Sequence, residues 1–290
     1  MRFYVLVISL LLGSVNVFSQ QTYWQQQVNY VIDVSLNDED NTLDGFEKME
    51  YINNSPDTLH YIYVHLWANA YKNDQTAFSE QLLKNDRTDF YFSDEEKRGY
   101  INRLDFKTAD ESIPVEETKD IDIVKLLLPQ PLAPKQTITI STPFHEKLPY
   151  LFSRGGYYDQ FYAITQWYPK AALYDKDGWH AMPYLDQGEF YNDFGKYKIS
   201  ITLPENYKLA ATGVLEQTEP GTVIKRAIKE EKQKNKKPFF PKKQKEETNI
   251  PSSSKQTIYT YTADSVTDFA WFADKRFIVK QTRSSWQHIL

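Results

Sequence analysis

Histidine and glutamate stand side by side only once in this sequence, at His145-Glu146. The zinc-binding pattern H-E-x-x-H needs a second histidine four residues after the first, so that both rings lie on one helix face and reach one ion. Here that position is Pro149, which breaks a helix. We therefore interpret the pair as a chance half-match at the end of a strand, with no metal site.

The remaining histidines do not form a metal site by their spacing. His60 and His65 are five residues apart in a predicted strand, so their side chains point to opposite faces and cannot share one ion. Structural roles are favoured for both. His180 and His288 are isolated, and no G-x-S-x-G or P-loop signature occurs. The sequence therefore predicts no catalytic residues and no cofactor bound by this chain.

The N-terminus has the layout of a secretory signal peptide. Met1-Arg2 is positively charged, Phe3 to Leu12 is apolar, and Val17-Phe18-Ser19 permits cleavage before Gln20. The alternative is a membrane anchor, but the apolar run is shorter than the roughly 20 residues that span a bilayer. We expect residues 1–19 to be removed and the mature protein to be exported, periplasmic or extracellular, without a membrane partner.

Composition limits the possible classes. Of the 290 residues, 41% are hydrophobic and 15% aromatic, which is enough for a substantial core, and the absence of cysteine excludes disulfides and thiolate metal sites. The net charge of −5 gives no global indication of nucleic-acid binding.

A basic run is the exception to this charge balance. Ten lysines and arginines lie between Lys225 and Lys245, interrupted by Pro238 and Pro241. A nucleic-acid or anionic-surface contact is one interpretation. A solvated, disordered insertion over residues 225–255 is favoured, because no folded basic module surrounds the run. No nucleic-acid partner is expected.

Alternation of apolar and polar residues predicts a mainly β fold. Between Lys196 and Leu203, Tyr197, Ile199 and Ile201 fall on one face, as in a half-buried strand. Further strands are predicted at Val28–Leu36, Leu43–Ile52, Leu59–Leu66, Tyr100–Phe106, Ile121–Leu128, Gln136–Phe144, Gln256–Tyr261 and within Asp268–Val279. Many short strands separated by turns are typical of an antiparallel β-sandwich.

Two features interrupt the predicted strands. Thr76 to Arg98 has helical spacing and predicts a short helical insert of two helices, the second opening with a capping box at Ser93. Three prolines, Pro129, Pro131 and Pro134, are interpreted as the connector before the Gln136 strand.

Four motifs occur in a recognisable order: Thr165-Gln166-Trp167-Tyr168-Pro169, the strand Lys196–Pro204, the run Ala211-Thr212-Gly213, and Asp268-Phe269-Ala270-Trp271-Phe272-Ala273. In this order they resemble the N-terminal domain of the aminopeptidase N family of zinc metallopeptidases, the gluzincin aminopeptidases. The resemblance covers residues 25–280 and implies the saddle-like β-sandwich of that domain.

The resemblance implies a function that this chain does not complete. The family binds zinc in a catalytic domain through H-E-x-x-H, and a Gly-x-Met-Glu-Asn segment holds the substrate's amino group; both are missing here. The chain is thus expected to be the N-terminal substrate-cleft domain of a secreted zinc metallo-aminopeptidase, which removes N-terminal residues from peptides. Residues 281–290 would be the truncated start of the catalytic domain. Alone, the domain is expected to be inactive and to meet a peptide substrate only when completed.

One site residue is implied by the resemblance. In the family, the glutamine of Thr-Gln-aromatic-x-Pro helps to hold the substrate's N-terminal residue, and the matching position is Gln166. The chain departs from the family after this motif, since Lys170-Ala171-Ala172 replaces the usual Asp-Ala-Arg.

The alternative function is a stand-alone carbohydrate-binding or partner-binding β-sandwich. It rests on rings that could stack on a sugar, at Tyr157, Tyr158, Trp167, Trp179 and Tyr184. Under the favoured interpretation, we expect some of these rings to form an exposed apolar patch near Gln166.

Overall fold

The computed structural model describes residues 23–109, 111–219 and 249–278. The predicted signal peptide, most of the Lys-rich insertion and residues 281–290 lie outside this part. The strands are β1 (Gln27–Asn37), β2 (Thr42–Ile52), β3 (Leu59–His65), β4 (Tyr100–Asn102), β5 (Val115–Glu117), β6 (Ile123–Leu132), β7 (Thr137–Lys147), β8 (Gly156–Tyr158), β9 (Phe161–Ile164), β10 (Lys170–Ala171), β11 (Leu173–Asp175), β12 (Gly178–His180), β13 (Gly195–Pro204), β14 (Lys208–Ala211), β15 (Val214–Glu219), β16 (Gln256–Val266) and β17 (Trp271–Asp274).

These strands form a mainly β structure, as the alternation predicts. The largest sheet has the order β15-β16-β13-β1-β2-β7-β4, and β1 and β13 run parallel within it. Two four-stranded sheets have the orders β10-β3-β6-β5 and β14-β17-β9-β8, and β11 pairs with β12. Apart from β1 and β13, the pairs among these described strands are antiparallel.

The core lies between the sheets. On β1, Tyr30 and Ile32 are buried while Val31 and Asp33 are exposed, so one face of the large sheet is apolar. Residues of β3 such as Ile62 belong to the same buried cluster. Burial of these two faces against each other is the main source of stability that this arrangement offers.

The predicted helical insert contains one α-helix. Helix α1 (Ala77–Lys84) begins at Thr76, whose hydroxyl accepts a hydrogen bond from the Ser79 amide. Its Phe78 and Leu82, one turn apart, enter a second buried cluster with the 3-10 helix Trp67–Tyr71.

The second predicted helix is wrong. Glu95–Lys97 forms only a 3-10 turn, and its N-cap Asp94 makes no side-chain capping bond. The Ser93 hydroxyl donates instead to the Phe90 carbonyl at 2.6 Å, so the capping box does not form.

Two strand boundaries also differ from the prediction. Pro129 and Pro131 lie within β6, at a bulge where Leu59 pairs with Leu132 and Tyr61 with Leu127. A bulge tolerates proline because its residues do not all donate to the ladder. The predicted strand Tyr100–Phe106 stops at Asn102, because Arg103 turns the chain with a φ of 57°.

The end of the predicted insertion contacts the body of the fold. The Ile250 carbonyl accepts hydrogen bonds from Gln160 Nε2 and Lys275 Nζ, both at 2.9 Å. The Ser252 hydroxyl bonds to the Asp38 carboxylate. Residues 249–255 are therefore bonded to the folded body. β15 and β16, which precede and follow the residues outside the description, are antiparallel partners.

Candidate functional site

Gln166 lies in the short connection between β9 and β10, where the chain crosses from one four-stranded sheet to the other. Its φ is +52°, the left-handed region that side chains other than glycine rarely adopt. Such a conformation persists only where surrounding contacts hold it, and it is concentrated at functional sites. Gln166 shares this backbone conformation with six other described residues that are not glycine, among them Arg103 and Lys135.

The Gln166 side chain is half-buried and incompletely bonded. Its Nε2 donates to Asp268 Oδ2 at 3.4 Å, which is a long hydrogen bond. Its Oε1 is buried and has no partner among the described residues. The amide is therefore held at one end only.

Asp268 brings the two most distinctive sequence motifs together. Its Oδ1 accepts a 2.7 Å hydrogen bond from Tyr168 Oη, so it binds the Thr165–Pro169 motif at two positions. The next residue takes part as well, since Trp167 Nε1 donates to the Phe269 carbonyl at 3.0 Å. Segments about one hundred residues apart in sequence form one hydrogen-bonded unit beside Gln166.

Lys170 completes this unit and was not identified by sequence reasoning, which noted it only as a departure from the family pattern. It is 3% exposed, and its Nζ lies 3.3 Å from Asp268 Oδ1. The same ammonium donates to Tyr168 Oη at 3.0 Å and to Tyr197 Oη at 3.1 Å. A lysine within the apolar run after Pro169 is the signal that could have found it.

The charge state of Lys170 follows from its partners. Burial alone lowers the pKa of a lysine, but the negative charge of Asp268 and the oxygen of Tyr197 outweigh burial and raise the pKa of Lys170. Lys170 is therefore a charged structural centre and not a neutral nucleophile.

A small cavity lies on the other side of Gln166. Its volume is about 10 Å³, and its walls include Glu146, Thr165, Trp167 and Tyr184. Three oxygen atoms at this cavity's lining residues are buried without a partner in the described structure: Glu146 Oε2, Thr165 Oγ1 and Gln166 Oε1. Burial raises the pKa of Glu146 well above its usual range. No pattern in the sequence connects Glu146 with Gln166.

His145-Glu146 does not fit a zinc site. The two residues are consecutive in β7, so their side chains point to opposite faces: Glu146 is buried, and His145 Nδ1 bonds to Asp44 on the outer side. In residues 23–109, 111–219 and 249–278, no group of three or more His, Cys, Asp or Glu side chains is placed to hold a metal ion.

The histidines of β3 point to opposite faces, with His60 exposed and His65 buried. Burial lowers the pKa of His65 to about 3, so it is neutral. His180 is less isolated than its sequence position indicates, because it and His65 line one cavity of about 50 Å³. His180 Nε2 is bonded to Asp175 Oδ1 at 2.8 Å.

The rings from which an exposed apolar patch near Gln166 is expected differ in their exposure. Trp167 and Tyr184, like the neighbouring Tyr168, are each at most 2% exposed and belong to the core clusters. Trp179 is half-buried, and Tyr158 is 56% exposed on β8. Trp167 and Tyr184 cannot stack on a sugar from the core, which removes two of the rings on which the carbohydrate-binding alternative rests.

No helix in the described part of the chain is long and apolar enough to cross a membrane. No protein-family model matches the sequence, and no curated protein matches it.

Among solved structures, the chain is similar to an M1 zinc metallopeptidase from Deinococcus radiodurans, solved as a mutant bound to a Tyr-Ser-Ala substrate, at 10% sequence identity and a TM-score of 0.46. Another structure of an M1 zinc metallopeptidase from that organism matches at 11% identity and a TM-score of 0.44. A two-domain M1 zinc metallopeptidase mutant bound to L-arginine matches at 11% and 0.43. Each alignment covers 86% of this chain and 42% of the matched chain, so this chain spans less than half the length of the enzymes it matches.

Proposed function

We propose that the chain is the N-terminal substrate-cleft domain of an exported zinc metallo-aminopeptidase and that it is inactive by itself. The proposal is supported by the order of the four sequence motifs and by the hydrogen bonds that join two of them, from Trp167 to Phe269 and from Tyr168 to Asp268. The signal-like N-terminus supports export to the periplasm or the cell exterior.

One observation carries the proposed role of Gln166. The residue keeps a left-handed φ of +52° although it is not glycine, and its side chain has one long hydrogen bond. A core glutamine would be fully bonded, whereas a ligand-binding amide needs a free acceptor or donor. In the completed enzyme, a turn of the side-chain amide that brings Oε1 out of its buried position would let Gln166 accept a hydrogen bond from the ammonium group of a peptide's first residue.

The zinc would be held by a catalytic domain, because the described residues of this chain do not fit a zinc site. Zinc supplies an activated water and polarises the scissile carbonyl in such peptidases. The part assigned to this chain is limited to binding and orienting the peptide's N-terminus.

The experiment has two parts. The purified chain is assayed for zinc by elemental analysis and for hydrolysis of amino-acid anilides, and both results are expected to be negative. The DNA downstream of codon 290 is then read in all three frames, where H-E-x-x-H and Gly-x-Met-Glu-Asn are expected. One tightly bound zinc per chain, or hydrolysis by the chain alone, would overturn the proposal of an inactive domain.

If the longer enzyme is recovered, Gln166→Ala tests the site. Loss of one hydrogen bond to a charged group should lower kcat/KM by roughly 1–3 kcal/mol of transition-state stabilisation. Gln187→Ala is the matched control, because Gln187 is an exposed glutamine. An unchanged kcat/KM in Gln166→Ala would show that Gln166 does not hold the substrate.

A further inference from the structure

The cavity beside Gln166 collects unpartnered oxygen atoms from two separate segments. Glu146 comes from β7 and is 4% exposed, while Thr165 and Gln166 come from the connection that follows β9. Glu146 Oε2, Thr165 Oγ1 and Gln166 Oε1 are each buried without a partner among the described residues. Buried polar groups nearly always have hydrogen-bond partners, so three such atoms at one cavity require an explanation.

Within the described part of the chain, no positively charged side chain faces Glu146. Its neighbours across the strands are Leu43 on β2 and Ile101 on β4. The described residues that line the cavity include no lysine, arginine or histidine, and the titratable ones besides Glu146 are Tyr71 and Tyr184. These two hydroxyls bond to each other at 2.7 Å. Asp44 and His145, which lie beside Glu146 in sequence or register, bond to each other on the opposite face.

A carboxyl group in this position keeps its proton at neutral pH. Burial raises the pKa of Glu146 well above its usual range, and no charge among the described residues opposes that shift. A protonated carboxyl is a hydrogen-bond donor as well as an acceptor.

We propose that one water molecule occupies this cavity and that Glu146, in its protonated form, acts through that water as a positioning residue for Gln166. The Glu146 carboxyl donates to the water, and the water donates to Gln166 Oε1 and Thr165 Oγ1. The cavity of about 10 Å³ is near the size that one water requires. Three bonds are the usual number for a buried water, and this arrangement gives each of the three oxygens a partner.

In this arrangement both ends of the Gln166 side-chain amide are bonded, Oε1 to the water and Nε2 to Asp268. The role of this fixed amide in substrate binding rests on the proposed function, in which the ammonium group of a peptide would compete with the water for Gln166 Oε1. The water and the proton on Glu146 do not depend on that function, since they follow from the cavity and its oxygens alone.

The direction of the pH dependence follows from the retained proton. Above the pKa of an unfolded glutamate, about 4.3, the unfolded chain has released the proton that the native state keeps. The free energy of unfolding therefore falls as the pH rises from that value towards the raised pKa of folded Glu146. Glu146→Gln carries no such proton and should remove this contribution while still offering a neutral donor.

The test uses the chain as it is and compares three variants. Glu146→Gln should keep the Gln166 side-chain amide protons protected from exchange with solvent, whereas Glu146→Leu should speed their exchange roughly fivefold or more, the loss expected for one hydrogen bond. Glu47→Gln is the matched control, because Glu47 is also a buried strand carboxyl with a raised pKa but does not line this cavity. It should leave the Gln166 amide unchanged.

Two further measurements complete the test. The infrared spectrum of the wild type minus that of Glu146→Gln should contain a protonated-carboxyl band at pH 7, and a crystal structure should contain one water bonded to all three oxygens. If Glu146→Leu does not fold, Thr165→Val removes one contact of the water and should also speed exchange of the Gln166 amide.

The proposal is overturned if the protonated-carboxyl band is absent, if a cation occupies the cavity, or if neither Glu146→Leu nor Thr165→Val affects Gln166. Because these readouts need no peptidase activity, their failure is distinguishable from a failure of Gln166→Ala to affect catalysis.

Discussion

At the scale of the residue, the backbone of Gln166 is as informative as its side chain. A left-handed φ of +52° costs a non-glycine residue roughly 1–2 kcal/mol. Glycine would adopt the same backbone without the steric cost, and the one hydrogen bond of the Gln166 side chain within the described residues, to Asp268, is long at 3.4 Å. The presence of glutamine there is consistent with a role for its amide that is not structural.

Replacing Gln166 by glycine should therefore leave the free energy of unfolding unchanged or raise it by up to about 1 kcal/mol, since relief of strain exceeds the entropy that glycine adds to the unfolded chain. Urea unfolding measures the effect. Lys135→Gly is the control, because Lys135 also has a positive φ, of 67°, and lies in an exposed turn. If Gln166→Gly is clearly less stable than Lys135→Gly relative to the wild type, the glutamine supports the fold and its assignment to substrate is wrong.

Asp193 is a second residue whose chemistry is set by burial. It is 6% exposed, and neither carboxylate oxygen has a partner among the described residues. Burial raises the pKa of Asp193 to about 8, although the positive charge of Lys170 opposes the shift. The folded protein therefore holds a proton on Asp193 at neutral pH, which the unfolded chain releases near pH 4.

Because of this difference, the free energy of unfolding should fall as the pH rises from about 4 to the folded pKa of about 8. Asp193 alone can contribute at most about 1.4 kcal/mol per pH unit to that fall. Asp193→Asn should flatten that part of the profile and be more stable than the wild type at pH 8. Urea unfolding at several pH values measures it, with the exposed Asp33→Asn on β1 as control. Parallel profiles for the wild type and Asp193→Asn would contradict the prediction.

At the scale of the element, Lys170 connects β10, β13 and the segment after β16 by hydrogen bonds. It lies on β10, donates to Tyr197 of β13, and donates to the Thr267 carbonyl at 2.5 Å, just after β16. Its ion pair with Asp268 further links this group to the Gln166 connection. One buried ammonium thus holds the short β10 against the large sheet.

Lys170→Met should destabilise the protein by about 3 kcal/mol, because removing one partner of a buried ion pair leaves Asp268 and two tyrosine hydroxyls without their cation. Lys198→Met is the control, since Lys198 lies on the exposed face of β13 and should change stability by less than about 0.5 kcal/mol. Denaturant unfolding of both variants decides the point. If Lys170→Met were as stable as Lys198→Met, the contacts of Lys170 would not stabilise the fold.

At the scale of the whole molecule, the described residues on both sides of the basic segment form one folded body. The ten basic residues of 225–245 lie outside the described residues, while 249–255 are bonded to the body through Gln160 and Lys275. The strands on either side of the segment, β15 and β16, are antiparallel partners, and β16 also pairs with β13. The pairing of β16 with β13 and β15 therefore does not require an intact chain through the basic segment.

Limited trypsin digestion should cleave first within residues 225–245, and the two fragments should remain associated, because β16 stays paired on both sides. Mass spectrometry locates the cuts, and size-exclusion chromatography of the nicked protein tests association. Lys119, whose side chain is 89% exposed in the body, serves as the internal comparison. A first cut at Lys119, or a protected basic segment, would contradict the prediction and favour a structured binding role for the run.

The sequence alone determined the long strands of the largest sheet, such as β1, β2, β7 and β13, because a strand with one buried face repeats every two residues, whatever its partner is. The short strands β8 to β12 carry too few residues for such a repeat. The alternation at Tyr197, Ile199 and Ile201 predicted β13, and the motif around Gln166 selected a residue whose backbone is unusual. It predicted a capping box at Ser93 that does not form, and it missed the bulge at Pro129, since both depend on which neighbouring groups compete for the same hydrogen bonds.

Only the tertiary structure decided the environment of the site. Trp167 and Tyr168 are consecutive and yet both buried, because the connection that carries them crosses between sheets and is covered on both sides. Asp268 reaches Tyr168 and Lys170 across about one hundred residues, and Glu146 reaches the cavity of Gln166 from another strand. The local alternation of apolar and polar residues predicts which face of a strand is buried, but it does not predict contacts between residues that are distant in sequence. These contacts fix the charge of Lys170 and the proton of Glu146, and through them the chemistry around Gln166.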